Sequence, residues 1–483
     1  MNGSRRMRMT SKASPLAAKG VAVGIDLGTT NSVIAVFDGT SPVAVPVSPG
    51  ANMLPSVVAF TDGDEVSVGG PAKRQAILSP HNTFASVKRL IGMKLDSARE
   101  QAKSVPYKVG SDEDGNVQLL CDCVEGGVLY PEEVSAYVVA ELLSAAESFA
   151  GSPIKKAVIS VPAYFDEDQR EATIQAGRLA GLDTVKLIRE PVAAALAYGI
   201  RAAEDEVILV LDLGGGTFDV SILEVGGGII EVLSTGGDAK LGGDDFDNLI
   251  VDWLASTYLT DVDWRQPSIL TNLKTMAEAA KVKLSEAARV ALRLPVGGGG
   301  AGTEAVLTRQ QLEKLSAPLF KRMGKAVDEA CWQAGVDLGT VIEEHAASQS
   351  KGKRRGKKEG SQGVDIRPKR RAPISQVLLV GGATRMPAFQ RFVKNMTGLQ
   401  PKGFTVDPDE AVALGAAIQA GIYEGSVSGL MVMDIWQASL LRALATKRLR
   451  DDKEAAQELL GEEVPVDSAF DSDDFNEDFQ DEP

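Results

Sequence analysis

Two segments of the sequence combine aspartate, glycine and threonine in the same order. VAVGIDLGTTNSVIAVF begins at Val21, and VILVLDLGGGTFDVSIL begins at Val207. Each is an apolar strand that ends in Asp-Leu-Gly, followed by a tight turn with threonine and a second apolar strand. Glycine allows a ligand to approach the backbone closely, and consecutive turn N–H groups bind anions. The repeated hairpins therefore predict a pair of phosphate-binding turns.

The aspartates at the strand ends, Asp26 and Asp212, stand immediately before these turns. Two bare carboxylates would repel a polyphosphate, and a divalent cation between them removes that repulsion. Mg²⁺ keeps several waters when it is held by few carboxylates together with phosphates. We therefore expect a clamp of two facing hairpins around a hydrated metal ion.

Other glycine, histidine and cysteine patterns point to no second chemistry. GGGGAG at Gly297–Gly302 fits the spacing of a dinucleotide-binding loop, but strand-like TEAVLT follows it instead of a helix, which predicts a hairpin loop. The chain contains no Walker A sequence. His81 and His345 are the two histidines of the sequence, which excludes a metal site built from several histidines.

The sequence has three cysteines, Cys121, Cys123 and Cys331. An odd and sparse set is no disulfide framework and is typical of a reducing compartment. The Cys-Asp-Cys pair could be a fragment of a redox or metal site. Because partners for it are missing elsewhere in the sequence, we interpret both residues as ordinary strand residues.

From Val21 to about Tyr423, strand patterns alternate with helical ones, which predicts an α/β fold. PEEVSAYVVAELLSAAESFAG has an apolar face, a proline in its first turn and a final glycine, so a helix is expected from Pro131 to Gly151. The strand KKAVISVP follows. A second helix is predicted from about Asp166 to Ala180.

The hairpins and the residues between them resemble the 70-kDa heat-shock chaperone family of the DnaK type. The resemblance covers about Val21 to Trp436 and rests on motifs in a fixed order: GIDLGTTNS, PAKRQA, KRLIG, VPAYFDEDQREAT, AGRLAGL, EPVAAALAYG, DLGGGTFDVS, LGGDDFD, VLLVGGATRMP and DPDEAVALGAA. It implies the two-lobed ATPase fold shared with actin and sugar kinases. Each lobe of that fold has a ribonuclease-H-like core, and the nucleotide lies between the lobes.

The resemblance also implies a role for each matching residue. Asp26 and Asp212 would hold Mg²⁺ through water, with K⁺ as an additional candidate ion. The residues implied in catalysis are Lys73, which would reach the γ-phosphate, and Glu190, Asp219 and Thr217. The residues implied in binding ATP or ADP are Gly28, Thr29, Thr30, Asn31, Gly214, Gly215, Gly216, Gly242, Gly243, Glu278, Lys281, Ser285, Gly381, Gly382, Arg385 and Asp409.

The domain boundaries are predicted from the resemblance, which implies the lobes, together with changes in composition. Residues 1–20 are basic and lack acids, so we expect a disordered or targeting segment. A nucleotide-binding domain is expected at 21–428, with lobe I at about 21–205 and 405–428, lobe II at about 206–404, and a basic insertion at 346–372. An interdomain-type linker is expected at 429–436, a helix at 437–460 and an acidic disordered tail at 461–483. These last segments are too short for the family's peptide-binding domain, so no peptide-substrate domain is expected.

Three functions remain open on the sequence. The first is a slowly hydrolysing ATPase that acts as a truncated chaperone or as a regulator of a full-length relative. The second is a nucleotide-binding protein without hydrolysis that titrates J-domain or exchange-factor partners. The third is a sugar or glycerol kinase, which is weaker because a sugar-site motif is missing.

Charge and hydropathy restrict the partners. The net charge of −15 argues against nucleic acid as a partner. Apolar runs stay below the ~20 residues of a membrane span, so a membrane is not an expected partner either. J-domain co-chaperones and nucleotide-exchange factors are the partners that the resemblance implies. The basic N-terminus favours a plastid or a mitochondrion, and the cytoplasm remains the alternative.

Overall fold

Each Asp-Leu-Gly hairpin lies in the interior of its own mixed β-sheet. The computed structural model describes residues 22–61, 65–76, 78–199, 206–226, 229–294, 304–336, 338, 373–401, 405–427 and 431–433. The strands are β1 (Ala22–Asp26), β2 (Asn31–Phe37), β3 (Pro42–Ala44), β4 (Met53–Pro55), β5 (Val57–Thr61), β6 (Glu65–Val68), β7 (Thr83–Ala85), β8 (Val109–Ser111), β9 (Val117–Leu120), β10 (Val128–Leu129), β11 (Lys156–Val161), β12 (Thr184–Arg189), β13 (Glu206–Leu213), β14 (Phe218–Gly226), β15 (Ile229–Asp238), β16 (Arg289–Arg293), β17 (Glu304–Thr308), β18 (Gln376–Val380) and β19 (Met431–Met433).

Helices cover the sheets and follow many of the strands. They are α1 (Gly70–Gln75), α2 (Leu95–Ser104), α3 (Pro131–Ala150), α4 (Glu167–Leu179), α5 (Glu190–Ala197), α6 (Gly243–Tyr258), α7 (Pro267–Glu286), α8 (Arg309–Leu315), α9 (Ala317–Ala334), α10 (Pro387–Thr397) and α11 (Ala411–Tyr423). Short 3₁₀ turns span Pro80–Asn82, Val87–Arg89 and Gly382–Arg385. Among the described helices, none is long and apolar enough to cross a bilayer.

The two main sheets share one arrangement. The first has the order β12-β11-β1-β2-β3, with β4 also paired to β2, and the second contains the order β18-β13-β14-β15. In each, a hairpin of antiparallel strands has a parallel neighbour on its outer side, β11 beside β1 and β18 beside β13. The predicted hairpins are thus confirmed. Their common surroundings are those of a duplicated core.

The local sequence signals also agree with the structure. The helix expected at Pro131 runs to Ala150 and ends at Gly151, whose φ of 72° lies in the left-handed region that glycine adopts readily. Asp166 caps α4 by accepting a hydrogen bond from the N–H of Gln169 at 2.9 Å. EAVLT (Glu304–Thr308) forms β17 as expected.

Two alanine-rich helices pack between the main sheets at very short distance. Helices α5 and α11 share a buried cluster with residues of both sheets. A Cβ built on Gly415 of α11 would lie 1.7 Å from the carbonyl oxygen of Ala193 in α5. A Cβ on Gly24 of β1 would lie 2.0 Å from the backbone nitrogen of Ala417. Backbone therefore packs against backbone at these crossings, which is possible only because these positions lack side chains.

The Cys-Asp-Cys segment is the exception to the predicted secondary structure. The expectation of strand residues was wrong, because β9 ends at Leu120 and Cys121–Cys123 lies in the turn after it. The predicted leader at 1–20, the Gly297–Gly302 loop, the insertion at 346–372, the helix at 437–460 and the tail at 461–483 lie outside the described residues.

Replacing Gly415 with alanine tests the crossing of α5 and α11. Gly415→Ala forces the two backbones apart, so we expect a loss of about 1–3 kcal/mol of stability, as for other overpacked sites. Gly324→Ala is the matched control, because it also lies within a helix but its added Cβ would meet the Phe392 ring at 3.9 Å, an ordinary contact. Urea denaturation should show a lower midpoint for Gly415→Ala and an equal or higher one for Gly324→Ala. Equal midpoints for the two variants would contradict this packing.

Candidate functional site

The two Asp-Leu-Gly turns meet each other. A Cβ built on Gly215 of the second turn would lie 2.2 Å from the hydroxyl oxygen of Thr30 in the first. Gly28 of the first turn is equally crowded, because its Cβ would lie 2.0 Å from the carbonyl oxygen of Asn31. Both turns thus depend on glycine at their closest points. The two turns therefore face each other as predicted, and their binding of phosphate stays a prediction.

Acidic side chains gather beneath the turns. Asp26 ends β1, and its Oδ1 accepts a hydrogen bond of 2.8 Å from the hydroxyl of Ser160 on the neighbouring strand β11. Asp212 on β13 stands directly opposite Asp219 on β14 in the antiparallel register. Glu190 begins α5 and is 8% exposed. Strand ends and a helix start thus bring the carboxylates together.

A buried lysine lies among these carboxylates. Lys88 occupies the 3₁₀ turn Val87–Arg89, its side chain is 10% exposed, and its Nζ donates to Oε1 of Glu190 at 2.6 Å. Ser86 immediately precedes this turn with φ at 58°, an uncommon conformation for a residue other than glycine. The left-handed residue redirects the chain from β7 so that Lys88 enters the cleft.

Burial and mutual repulsion raise the pKa values of the clustered carboxylates. Desolvation and the nearby Glu190 raise the pKa of Asp219 from 3.8 to about 7. Desolvation raises the pKa of Asp26 to about 6, with Lys88 acting in the opposite direction, and it raises the pKa of Asp212 well above its ordinary value. Desolvation lowers the pKa of Lys88, but the charges of Glu190 and Asp26 outweigh it, so its pKa is raised overall. The cleft therefore favours an added cation.

Several N–H donors of the turns and of Arg89 lack a hydrogen-bond acceptor in the described part of the chain. Within the described residues, the structure gives no acceptor to the backbone N–H groups of Thr29, Thr30, Gly215 and Gly216. A Cβ on Gly216 would lie 1.4 Å from Nη2 of Arg89, and the buried Nε of Arg89 has no partner in this part of the chain. Gly216 and the Nε of Arg89 are buried, and unpaired buried donors are costly unless a ligand accepts from them. Turn amides and a guanidinium suit a phosphate group.

The start of α6 supports the second turn. The N–H of Gly243 donates to the carbonyl of Gly214 at 2.9 Å, and a Cβ on Gly242 would lie 2.4 Å from the nitrogen of Gly216. Lys281 of α7 donates from Nζ to the Gly243 carbonyl at 2.8 Å. The same ammonium forms a buried ion pair with Asp247 at 2.8 Å. This network fixes α7 to the phosphate side of the cleft.

Residues predicted to bind the nucleoside fall into two neighbouring groups. Lys281 and Ser285 of α7 line a pocket with Met386, the residue that follows Arg385. Arg385 forms ion pairs with Asp407 and with Asp409, the latter at 2.8 Å.

Two glycines allow the loop that contains Arg385 to pack closely against its neighbours. Gly381 has φ at 82°, and its Cβ would lie 2.5 Å from the carbonyl oxygen of Leu213. A Cβ on Gly382 would lie 2.7 Å from Oδ1 of Asp409. The loop with Arg385 therefore lies against the end of β13.

Lys73 forms its ion pair with a carboxylate outside this cluster. It belongs to α1, its side chain is 54% exposed, and its Nζ is 3.5 Å from Glu278 of α7. Its role at the γ-phosphate stays a prediction, and the lysine that contacts Glu190 in the structure is Lys88. Sequence reasoning missed Lys88 and Arg89 as functional residues. KRLIG, one of the motifs behind the resemblance, contains both of them.

The fold, with its duplicated cores and paired Asp-Leu-Gly turns, is that of the two-lobed ATPases of the actin and sugar-kinase class. A model of the family described as Hsp70 protein matches residues 22–343 and 369–454. The chain belongs to the Hsp70 family, whose members are ATPases that bind ATP and ADP with Mg²⁺.

Curated relatives share the matched region. The chain is 44% identical over 425 residues to a Chaperone protein dnaK of Cyanidioschyzon merolae. The aligned region covers 86% of this chain and 64% of that protein. It is 43% identical to Heat shock 70 kDa protein 7, chloroplastic, of Arabidopsis thaliana, over 86% and 54% of the two chains. It is 44% identical to Chaperone protein DnaK of Thermus thermophilus, over 87% and 63%. The chain thus spans less than two thirds of the length of these relatives.

The raised pKa of Asp219 predicts a stability that depends on pH. Because its pKa is about 7 in the folded chain and 3.8 ordinarily, the folded state binds this proton more tightly. Stability from this group is therefore greatest below the ordinary pKa and declines as the pH rises towards 7. Asp219→Asn removes that decline, so without nucleotide the variant should melt a few degrees above the wild type at pH 8, with a gap that closes towards about pH 4.

The exposed Asp183 provides the control for this measurement. Asp183→Asn should melt with the wild type at each pH. A stabilisation by Asp219→Asn that is the same at every pH would show that the carboxylate charge is not its cause.

Proposed function

We propose that this chain binds ATP and ADP with Mg²⁺ and hydrolyses ATP slowly, as the nucleotide-binding part of a DnaK-type chaperone. The observation that supports it most is the contact between Thr30 and Gly215, which places two phosphate-binding turns face to face above a cluster of carboxylates. Hydrolysis is favoured over simple binding because Lys88, Glu190 and Asp219 lie together at this point.

Asp26 and Asp212 fit a hydrated metal. Their raised pKa values reflect desolvation and neighbouring carboxylates, a charge excess that a divalent cation would relieve. In the described part of the chain, no group of three histidine, cysteine or acidic side chains is placed to hold a metal ion. Water and phosphate oxygens would therefore complete the coordination of Mg²⁺. When bound, Mg²⁺ neutralises charge on the phosphates.

Lys88 and Arg89 would supply the remaining positive charge. Glu190 holds the Lys88 ammonium in the cleft, so the cation is in place before ATP binds. Electrostatic groups that are fixed in advance stabilise charge on the transferred phosphoryl oxygens without reorganisation. The guanidinium of Arg89 lies against Gly216 and would extend this support to the second turn.

Asp219 and Glu190 are the groups that would orient the attacking water. Both carboxylates line one small pocket together with Tyr164 and Asp212. The side chain of Thr217 donates a hydrogen bond to Asp219 and fixes its orientation. Because the carboxylate of Asp219 titrates near neutrality, it can accept a proton from water as hydrolysis proceeds.

The nucleoside would lie between α7 and the loop after β18. Lys281 and Ser285 face the pocket shared with Met386, and Arg385 is held beside it by Asp409. Glu278 lies one turn before Lys281 on the same helix, where its carboxylate could accept from ribose hydroxyls. Gly242, Gly243, Gly381 and Gly382 allow the backbone approaches that form this side of the site.

J-domain proteins and nucleotide-exchange factors are the partners that we propose, because the relatives are named as DnaK-type chaperones. Within that system we assign the chain a regulatory role.

A plastid is the proposed compartment, supported by the chloroplastic relative of Arabidopsis. Import of the radiolabelled chain into isolated chloroplasts, compared with isolated mitochondria, should show protease-protected protein in the chloroplasts. Protection in the mitochondria alone would contradict the plastid assignment.

Two lysine variants test the catalytic assignment. Lys88→Met keeps the aliphatic stem but removes the buried cation, so single-turnover hydrolysis of ATP should slow by about 10²–10³-fold. Lys73→Met changes an exposed lysine on α1. It should hydrolyse ATP within about threefold of the wild type, because Lys73 is half exposed and its ion pair with Glu278 is of the weak surface kind. A J-domain protein should accelerate the wild type in the same assay.

Nucleotide affinity serves as the control for folding in both variants. Loss of hydrolysis in Lys73→Met alone would restore the assignment made from the sequence. A wild type that binds Mg²⁺-ADP but hydrolyses no faster than Lys88→Met would instead support a nucleotide-binding protein that titrates its partners. Absence of magnesium-dependent nucleotide binding would overturn the proposed function.

A further inference from the structure

The Cys-Asp-Cys turn is a chemical feature that the nucleotide site does not use. It follows β9 on the edge sheet β10-β9-β8. Cys121 is 0% exposed and packs in the core cluster of the first main sheet, whereas Cys123 is partly exposed. Two thiols in one turn, one buried and one accessible, are arranged differently from ordinary core cysteines.

Asn82 holds this turn through its side-chain amide. Its Nδ2 donates to Sγ of Cys123 at 3.0 Å, and its Oδ1 accepts from the N–H of Asp122 at 3.3 Å. A hydrogen bond donated to sulfur favours the thiolate, the form that attacks disulfides. Cys123 is also the more accessible of the two sulfurs. The hydrogen bond from Asn82 and the greater accessibility both indicate Cys123 as the attacking thiol.

Cys121 is placed to react second. The two cysteine side chains share a hydrogen bond, and desolvation raises the pKa of the Cys121 thiol, which keeps it protonated until a partner forms beside it. Residues two apart are separated by at most ~7 Å between Cα atoms, and by less in a turn. That separation falls within the range that a disulfide can bridge. In the described residues, no third ligand joins the pair into a metal-binding group.

We propose that Cys121 and Cys123 form a redox-active dithiol, which a low-molecular-weight disulfide converts into an intramolecular disulfide. The Cys123 thiolate attacks one sulfur of the small disulfide, whose S–S bond breaks and releases a first small thiol. Cys121 then attacks Sγ of the mixed disulfide, which releases a second small thiol. The two protons lost by the cysteines leave on those two thiols, the cysteines are oxidised by two electrons, and the small disulfide is reduced.

The bridge is expected to be easily reduced. A disulfide across one intervening residue closes a small ring, and strained or exposed disulfides have the more oxidising potentials. Closing it moves Cys123 Sγ towards Cys121, which breaks the hydrogen bond from Asn82. The site is therefore reversible, and it responds to oxidant without nucleotide.

Thiol mapping by mass spectrometry on the full-length chain tests this site. The protein is treated with glutathione disulfide, acid-quenched, unfolded and alkylated. The peptide with Cys121 and Cys123 should lose two hydrogens and gain neither glutathione nor alkyl groups, and dithiothreitol should restore both thiols. Cys331 is a buried thiol distant in sequence and should remain alkylatable. A lasting glutathione adduct in the wild type, a disulfide between chains, or two unchanged thiols would each overturn the proposal.

Single substitutions test the order of attack. Cys121→Ser should trap glutathione on Cys123, whereas Cys123→Ser should leave Cys121 unmodified over the same time. An adduct on Cys121 instead would contradict the assigned order. Asn82→Leu should slow disulfide formation by roughly 3- to 10-fold, because it removes the hydrogen bond to Cys123 Sγ that favours the thiolate. These readouts need no ATP, so their failure is separate from a failure of the proposed nucleotide site.

Discussion

The ion pair between Lys88 and Glu190 lies at the centre of an electrostatic constraint on the whole cleft. Asp26, Asp212 and Asp219 approach the same point from different strands, and each would repel the others if the ammonium were absent. Gathering such groups away from water is unfavourable unless packing elsewhere holds them. Two sheets, each ending at the cleft, provide that packing. The site is therefore a strained arrangement of charge that a cation and a phosphate chain would relieve.

Duplication of the sheet explains how the chain forms such a site. A single Asp-Leu-Gly turn binds a phosphate from one side only. A second copy on a second sheet supplies the opposite side, and the parallel strands β11 and β18 fix each hairpin from the same direction. Ser160 shows the benefit, because it reaches Asp26 from the parallel neighbour. Contact between Thr30 and Gly215 then sets the width of the space between the turns.

Sequence alone predicted the features that depend on short segments. Hairpins and capped helices follow from neighbouring residues, and the facing turns were predicted because the same hairpin pattern recurs at Val21 and Val207. Lys88 could not be separated from Lys73 in this way, because both are lysines in motifs that resemble the family. Their difference is tertiary: the left-handed Ser86 directs Lys88 inwards, whereas α1 leaves Lys73 half exposed. The cysteine turn was missed for the same reason, since Asn82, which defines it, is about forty residues away in sequence.

Helix α5 connects the chemistry to a distant point of the fold. It begins at Glu190, and its residue Ala193 meets Gly415 less than a turn later, about 5 Å along the axis. Because a short helix moves as a rigid body, a rotation of α5 about the crossing would displace Glu190. A tilt of about 10° at the crossing would swing that end by ~1 Å, a displacement that can alter a rate by about 100-fold. Two small residues at this crossing, Ala193 and Gly415, thus set the position of Glu190 among the carboxylates.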